Sequence, residues 1–243
     1  MLMMNYRLVY LWRAVTVARV LRYVPFLRML GLNGSLVRGQ EKEESDIDFL
    51  IIAKRGRLYT ARFFATLLVE LTGYRRKGNL VAGRICLNCY LPDNNLKIAP
   101  ANPKSRGRVA KAYKYLIALI DDDDFERKFF IANSWFSRYK VSGSKYSRNL
   151  KLKLLYLING RAYHTFLLSL RRAKKFRALR AKKWSEGVLS GRFGDWLEEK
   201  LRAYQVKRIM AGRRPGDEIV CRKNEIRLHP RKPAVKNKKA KPR

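Results

Sequence analysis

Residues 34–52 of the 243-residue chain read GSLVRGQEKEESDIDFLII: a Gly-Ser pair, ten further residues, and then Asp-Ile-Asp at the start of an apolar run. Side chains alternate between the two faces of a strand, so Asp46 and Asp48 project from the same side. Their Cα atoms are expected to lie about 6.5–7 Å apart. At that spacing the carboxylate oxygens can converge on a hard divalent cation such as Mg²⁺. The stretch therefore predicts a strand that carries a pair of metal-binding acids.

The residues before this strand predict a turn that suits an anion. Residues 30–33, Leu-Gly-Leu-Asn, are typical of the end of another strand, and Gly34-Ser35 form the turn that leaves it. Glycine lets backbone N–H groups approach an anion closely, and the serine hydroxyl adds a further donor. We therefore expect a phosphate group at this turn.

The spacing and the two flanking strands resemble the nucleotidyltransferase superfamily of DNA polymerase β, in particular its minimal members. Gly34, Ser35, Asp46 and Asp48 match the Gly-Ser, spacer, Asp-x-Asp pattern, and Arg38 matches a basic residue common in the spacer. The resemblance extends over about residues 20–98.

The resemblance implies an α/β (α+β) nucleotidyltransferase domain with a small mixed sheet. It also implies transfer of a nucleoside monophosphate from a nucleoside triphosphate to an acceptor, with release of pyrophosphate (EC 2.7.7-type). Gly34, Ser35 and Arg38 would bind the nucleotide, while Asp46 and Asp48 would bind Mg²⁺ or Mn²⁺. The acceptor is open: an RNA end, a small molecule or a protein hydroxyl would each fit.

A third carboxylate, which the family carries on a later strand and uses to activate the acceptor, is missing from its expected place. In the next apolar strand, residues 84–91, Asn88 occupies that position, and the nearest acid, Asp93, follows Pro92 in a turn. An amide can bind a metal but cannot accept a proton, so we expect Asn88 to be a ligand or a positioning residue. Three alternatives follow: a transferase with another base or a low-pKa acceptor, a transferase that recruits Asp93, or a catalytically degenerate relative that binds nucleotide or RNA.

The charge of the chain predicts contact with polyanions. Lys and Arg number 55 against 19 Asp and Glu, which gives a formal net charge of +36. Such a field attracts nucleic acid and makes its binding salt-dependent. The Lys/Arg-rich segments 127–185 and 230–243 contain no acidic residue and are candidate RNA contacts. The alternatives are a solvated basic surface, a broadly basic proteome, or an anionic membrane surface.

The rest of the chain predicts its organisation and location. We expect a nucleotidyltransferase domain over residues 1–98, a mainly helical basic domain over 106–229, and a disordered tail over 230–243. Arginines interrupt the apolar N-terminal segment, which excludes a membrane span there. An odd number of cysteines, three, without a secretory signal favours a reducing, cytoplasmic location.

Local features of the sequence carry more specific predictions. From Arg108 onward, apolar residues at three- and four-residue intervals as far as Ile117 predict a helix, and a short strand is expected over residues 218–227. Cys86 and Cys89, three apart on a strand, are expected to face opposite sides, which argues against zinc. The acidic run 121–124 is expected to cap a helix that follows it. Residues 146–183 are expected to form one long helix, or two with the break at Asn159-Gly160. Another helix is expected over 191–210, with Phe193 and Trp196 among its core residues.

Overall fold

A mixed sheet with helices on both faces forms the centre of the molecule. The computed structural model describes residues 6–100, 105–159, 179–213, 217–223 and 225–229. The strands are β1 (Leu27–Asn33), β2 (Ile47–Ala53), β3 (Ile85–Pro92), β4 (Ile117–Asp121), β5 (Glu218–Arg222) and β6 (Glu225–His229). The helices are α1 (Tyr6–Leu21), α2 (Leu58–Leu71), α3 (Arg106–Tyr113), α4 (Phe125–Ala132), α5 (Ser144–Asn159), α6 (residues 179–188) and α7 (Gly191–Ala211), with 3₁₀ turns at Leu36–Arg38 and Ser134–Arg138.

The strand order across the sheet is β4-β1-β2-β3-β6-β5. β1 is antiparallel to both of its neighbours, β2 and β4, whereas β2 and β3 run parallel. β6 is antiparallel to β3 and to β5. This mixed α/β architecture confirms the predicted fold class, and it places β2, which follows the Asp46 position, near the middle of the sheet.

Strand β2 is buried on both of its faces. Phe49 and Ile51 pack into one core cluster, shared with α1 and α2, while Leu50 and Ile52 pack into a second cluster with Tyr113 of α3. Because both faces are covered, the strand can be apolar at consecutive positions and not only at alternate ones. The half-buried polar positions are at its N-terminal end, where Asp46 precedes the strand and Asp48 is its second residue.

Several predictions for the second half of the chain are confirmed. The Asp121 carboxylate accepts hydrogen bonds from the Phe125 and Glu126 N–H groups at 2.7 and 3.0 Å, so it caps α4 as expected. Helix α7 lies where a helix was predicted, and α5 covers the start of the helical pattern predicted from residue 146. The break predicted at Asn159-Gly160 stays a prediction. The predicted continuation over residues 160–178 and the tail over 230–243 lie outside the described residues.

Other predictions for the same region are wrong. Residue Ile117, assigned to a helix, begins β4, because residues 116–120 are apolar and can pair with the edge of β1. The single strand expected over 218–227 is a hairpin of β5 and β6. Phe193 and Trp196 are more than half exposed, at 55% and 57%, and stack on each other at the surface.

The division into domains at residues 1–98 and 106–229 stays a prediction. The sheet takes strands from both ranges, since β4 pairs with β1 and the β5–β6 hairpin pairs with β3.

Within the part of the chain that the structure describes, no helix combines the length and apolarity needed to cross a membrane.

Candidate nucleotide and metal site

The Gly34 turn lies directly against the Asp48 carboxylate. β1 ends at Asn33, and Gly34 adopts a φ of +82°, a left-handed conformation that favours glycine. A Cβ atom at this position would overlap the Oδ2 atom of Asp48. The Gly34 N–H donates a hydrogen bond to the Ala112 carbonyl at 3.0 Å. Both the backbone conformation and the available space therefore require glycine here.

Arg38 stabilises the Gly34 turn through a hydrogen bond to its backbone. Its side chain is buried, its Nε donates to the Gly34 carbonyl at 3.1 Å, and a second nitrogen donates to the Gln40 side chain. Burial lowers the pKa of Arg38, and the nearby Asp48 carboxylate opposes that shift. Because both backbone polar groups of Gly34 have partners, the donors of the Gly-Ser pair that remain for a phosphate belong to Ser35.

The two aspartates meet a cysteine at the start of β3. One carboxylate oxygen each from Asp46 and Asp48 and the Cys86 sulfur all lie within 4.8 Å of one another. In the sheet register Asp48 faces Cys86 of β3 on one side and Asn33 of β1 on the other. The position across from Asp48 in β3 is thus Cys86, two residues before Asn88.

A bulge in β3 accounts for the position of Asn88. Phe49 pairs with Leu87 and Leu50 pairs with Cys89, so Asn88 is the additional residue. Its Nδ2 donates to Asp48 Oδ1 at 2.6 Å, which makes it a direct neighbour of the acid pair. The bulge also carries Cys89 to the face of Leu50, the same face as Asp48, so the prediction that the two cysteines point to opposite faces is wrong.

Two buried amide oxygens flank Asp48. The Oδ1 atoms of Asn88 and Asn33 are both buried and have no hydrogen-bond partner within the described residues. Buried polar atoms are usually paired, so an orphaned pair beside two carboxylates points to a missing ligand or water. Carboxylate and amide oxygens are the donors that Mg²⁺ and Mn²⁺ prefer. The residues at this site therefore fit a hard divalent cation.

Cys86 adds little to such a site. Burial raises the pKa of the Cys86 thiol, so the group is neutral at physiological pH. Only the thiolate is a strong metal ligand, and sulfur suits softer ions than Mg²⁺. The oxygen donors of Asp46, Asp48 and the flanking amides would therefore hold the ion.

Arg76 places a cation on the same acids. A guanidinium nitrogen lies 2.5 Å from Asp46 Oδ2 and 3.8 Å from the Cys86 sulfur. Its backbone runs beside the start of β3, where the Arg76 N–H donates to the Ile85 carbonyl at 3.0 Å. Arg76 thus neutralises Asp46, and a divalent cation would compete with it for that carboxylate.

A cavity of about 530 Å³ opens on the β3 side of this cluster. Cys86 and Asn88 form part of its wall, together with Arg76 and Arg75 from the preceding loop and Arg62 from α2. The Gly34-Ser35 turn lies on the other side of Asp48, at the end of β1. The acid pair therefore lies between a turn suited to phosphate and a cavity lined by arginines.

Asp93 does not belong to the site. It follows Pro92, which pairs with Ala53 at the far end of the parallel β2–β3 pair, whereas Asp48 lies at the near end. Asp93 is five positions after Asn88, or roughly 17 Å along a strand. Its Oδ1 instead accepts a hydrogen bond from the Arg55 N–H at 2.9 Å. The alternative in which Asp93 serves as the third carboxylate is therefore wrong.

The sequence interpretation missed three neighbours of the acid pair: Asn33, Arg76 and Cys86. Asn33 could have been found from its place next to Gly34, because an antiparallel β1–β2 pair brings it opposite Asp48. Cys86 becomes a neighbour through the register of two strands far apart in sequence. Arg76 lies in a basic loop, and no local signal distinguishes it from Arg75.

The part of the chain that carries this geometry resembles a nucleotidyltransferase domain. Residues 18–84 match the family model described as a nucleotidyltransferase domain. The match spans the Gly34 turn, Arg38 and the acid pair, and it is consistent with the DNA polymerase β-like superfamily. It ends just before Cys86 and Asn88, which are placed at the site by the structure alone. No curated protein and no solved structure matches the chain.

Proposed function

We propose that the protein is a metal-dependent nucleotidyltransferase that transfers a nucleoside monophosphate from a nucleoside triphosphate to an acceptor hydroxyl. One observation carries the proposal: in a nucleotidyltransferase domain, the Asp46 and Asp48 oxygens converge within 4.8 Å beside the glycine turn. In the reaction the acceptor oxygen forms a bond to the α-phosphorus. The bond between the α-phosphorus and the oxygen that bridges it to the β-phosphate breaks, and pyrophosphate leaves. The hydroxyl proton passes to a solvent water.

The residues of the site take separate roles in this proposal. Ser35 donates to the triphosphate, and Arg38 fixes the turn through the Gly34 carbonyl. Asp46 and Asp48 hold Mg²⁺ or Mn²⁺, which neutralises phosphate charge in the transition state. Asn88 orients Asp48 through its 2.6 Å hydrogen bond and does not act as a base.

A second candidate function is nucleotide or RNA binding without transfer. The specific observation that favours it is that Asp46 is already paired with Arg76 at 2.5 Å, while an amide occupies the neighbourhood where a third acid was expected. A binding protein of this kind would retain the fold and the phosphate turn but would bind a divalent cation weakly.

A labelling experiment separates the two functions. The purified protein is incubated with each α-³²P-labelled nucleoside triphosphate, Mg²⁺ or Mn²⁺, and total RNA. Wild type is expected to label an acceptor, and the variant with Asp46→Ala and Asp48→Ala is expected to label nothing. Glu44→Ala removes an exposed carboxylate two residues from Asp46 and serves as the matched control.

The outcomes of this experiment are distinct. Label that depends on Asp46 and Asp48 but survives Glu44→Ala supports transfer. Nucleotide binding that is retained without any label overturns it in favour of the binding protein.

We also propose RNA as a partner and the cytoplasm as the location. The net charge of +36 and the run 127–185 without acids support contact with nucleic acid. All three cysteines are free thiols, as expected in a reducing compartment. Salt-dependent retention of the protein on immobilised RNA tests the first of these proposals.

A further inference from the structure

The β1 side and the β3 side of the acid pair differ in their lining residues, and this difference indicates which substrate binds on which side. In phosphoryl transfer the attacking oxygen and the leaving oxygen lie roughly in line on opposite sides of the phosphorus. If the triphosphate occupies the Gly34-Ser35 turn on the β1 side, the acceptor hydroxyl must arrive from the opposite, β3 side. The 530 Å³ cavity lies there, with Cys86 and Asn88 in its wall.

This cavity is suited to a phosphate-bearing acceptor. Arg62, Arg75 and Arg76 line it, against one acidic side chain, Asp217. The Arg62 Nε is buried and has no hydrogen-bond partner among the described residues, while another of its nitrogens binds Gln205 at 2.5 Å. Three arginines that line one cavity, one of them with a donor left unpaired by the described residues, fit an anionic group.

A second cavity lies between α2 and α7 and shares part of its lining with the first. This second cavity, of about 370 Å³, shares Arg62 and Arg75 with the first. It adds Arg208, the aromatic rings of Phe63 and Tyr204, and one acid, Glu70, which is paired with Arg75 at 3.0 Å. We call the two cavities together the α2–α7 groove.

The α2–α7 groove has the length and chemistry of a short single-strand site. Tyr204 lines its outer end and Gly212 its inner end. These residues are separated by about 12 Å of helix at 1.5 Å per residue, or three to four nucleotides at about 3.4 Å each along a stacked strand. Tyr204 is 57% exposed, so its ring is available for stacking, and Arg208 beside it is exposed. Arginines alternating with aromatic rings are the usual means of holding single strands.

We propose that the acceptor is a single-stranded nucleic acid whose 3′-hydroxyl end enters the α2–α7 groove and reaches the acid pair past Asn88. The role of the strand as acceptor rests on the proposed nucleotidyltransferase function, whereas binding of the strand in the groove does not. The shape and position of the groove distinguish this acceptor from a small anion, which would need only the inner cavity.

The test compares two double variants of the full chain. Tyr204→Ala with Arg208→Ala removes one aromatic ring and one cation from the groove, away from the acid pair. Arg192→Ala with Phe193→Ala removes the same two groups from the other end of α7, where both are exposed and line neither cavity. Fluorescence anisotropy with 5′-labelled 12-nucleotide RNA and DNA at fixed salt measures Kd, and thermal melts check that both variants fold.

The expected result is a Kd for single strands raised about tenfold by the groove variant and changed less than twofold by the control. The proposal is overturned if both variants weaken binding equally, which would indicate general charge, or if neither does. The Kd values for RNA and for DNA show which nucleic acid the groove prefers, and either preference supports the proposal.

A transfer assay separates this proposal from the function on which it rests. Oligomers ending in a 3′-hydroxyl should be labelled and 3′-phosphorylated oligomers should not, with the groove variant reducing label about tenfold at limiting oligomer. If no oligomer is labelled but the groove variant still loses binding, the transferase function fails and the strand site stands. If label goes to a small molecule or to the protein, unaffected by the groove variant, the acceptor proposal is overturned.

Discussion

The β1 side and the β3 side of the acid pair differ in how they are built. On the β1 side, Gly34 and Arg38 are close to the acid pair in sequence. The glycine lies against the Asp48 carboxylate, and the arginine donates to the glycine carbonyl. On the β3 side, Cys86 and Asn88 arrive through a parallel strand with a bulge, and Arg76 arrives from a loop. The first side is fixed by local geometry, whereas the second can be altered without disturbing the turn.

The largest expected effect is on the β1 side. Gly34→Ala would place a methyl group onto Asp48 Oδ2 and hold alanine at a φ of +82°. The left-handed conformation alone costs about 1–2 kcal/mol, and displacement of the acid should reduce transfer at least about 100-fold, since small misplacements of catalytic groups are that costly. Steady-state rates and thermal melts measure the two effects.

Gly56→Ala is the matched control for this change. Gly56 has a φ of +72°, and a Cβ there meets nothing within 4 Å. It should therefore lose stability by a similar amount with no loss of transfer. Equal activity of both variants would show that the close approach of Gly34 to Asp48 is unimportant.

The next effect tests the amide beside Asp48. Asn88→Asp would exchange the 2.6 Å hydrogen bond to Asp48 for two carboxylates in contact. Without metal this should lower the free energy of unfolding by about 1–3 kcal/mol, and Mg²⁺ should restore much of that loss by binding both acids. Denaturant unfolding with EDTA and with Mg²⁺ measures the difference. A variant as stable as wild type in EDTA would contradict the contact.

The same contrast between the two sides explains what the sequence could predict. Gly34, Ser35, Asp46 and Asp48 form a pattern of fixed spacing in consecutive strands, and a family match over residues 18–84 supports that part of the interpretation. The bulge at Asn88 could not be predicted, because it depends on the pairing of β3 with β2 and shifts the register by one residue.

Longer-range pairing also explains the errors in the fold. Residues 116–120 are apolar at consecutive positions, which is compatible with a buried helix or a strand. Only the free edge of β1 decides that they become β4. Phe193 and Trp196 were assigned to a core by helical spacing, but α7 uses the buried Glu198 and Gln205 to contact α2, through hydrogen bonds to Tyr59 and Thr60.

A smaller effect is expected for the cation at the β3 side. Arg76→Ala would free the Asp46 carboxylate from its 2.5 Å ion pair. Because Arg76 and a divalent ion compete for the same oxygen, Mn²⁺ affinity should rise about fivefold, a change in the range of a partly exposed ion pair. Titration of Mn²⁺ by electron paramagnetic resonance measures it. The matched control is Arg75→Ala, which makes the same charge change beside Glu70 and should leave Mn²⁺ affinity within about twofold of wild type. Weaker Mn²⁺ binding by Arg76→Ala than by wild type would contradict the competition between Arg76 and the ion.

The smallest effect is expected at Cys86, although it is the residue that lies across from Asp48. Burial raises the pKa of its thiol, so the group enters the cluster neutral and offers a hard ion little. Cys86→Ser keeps the size and neutrality of the side chain, and Mg²⁺-dependent transfer should stay within about twofold of wild type. Cd²⁺, which favours sulfur, should bind the variant more weakly, and competition titrations against Mn²⁺ measure this. A large loss of Mg²⁺-dependent transfer would instead make the thiol a working part of the site, and the β3 side would then be as strictly specified as the glycine turn.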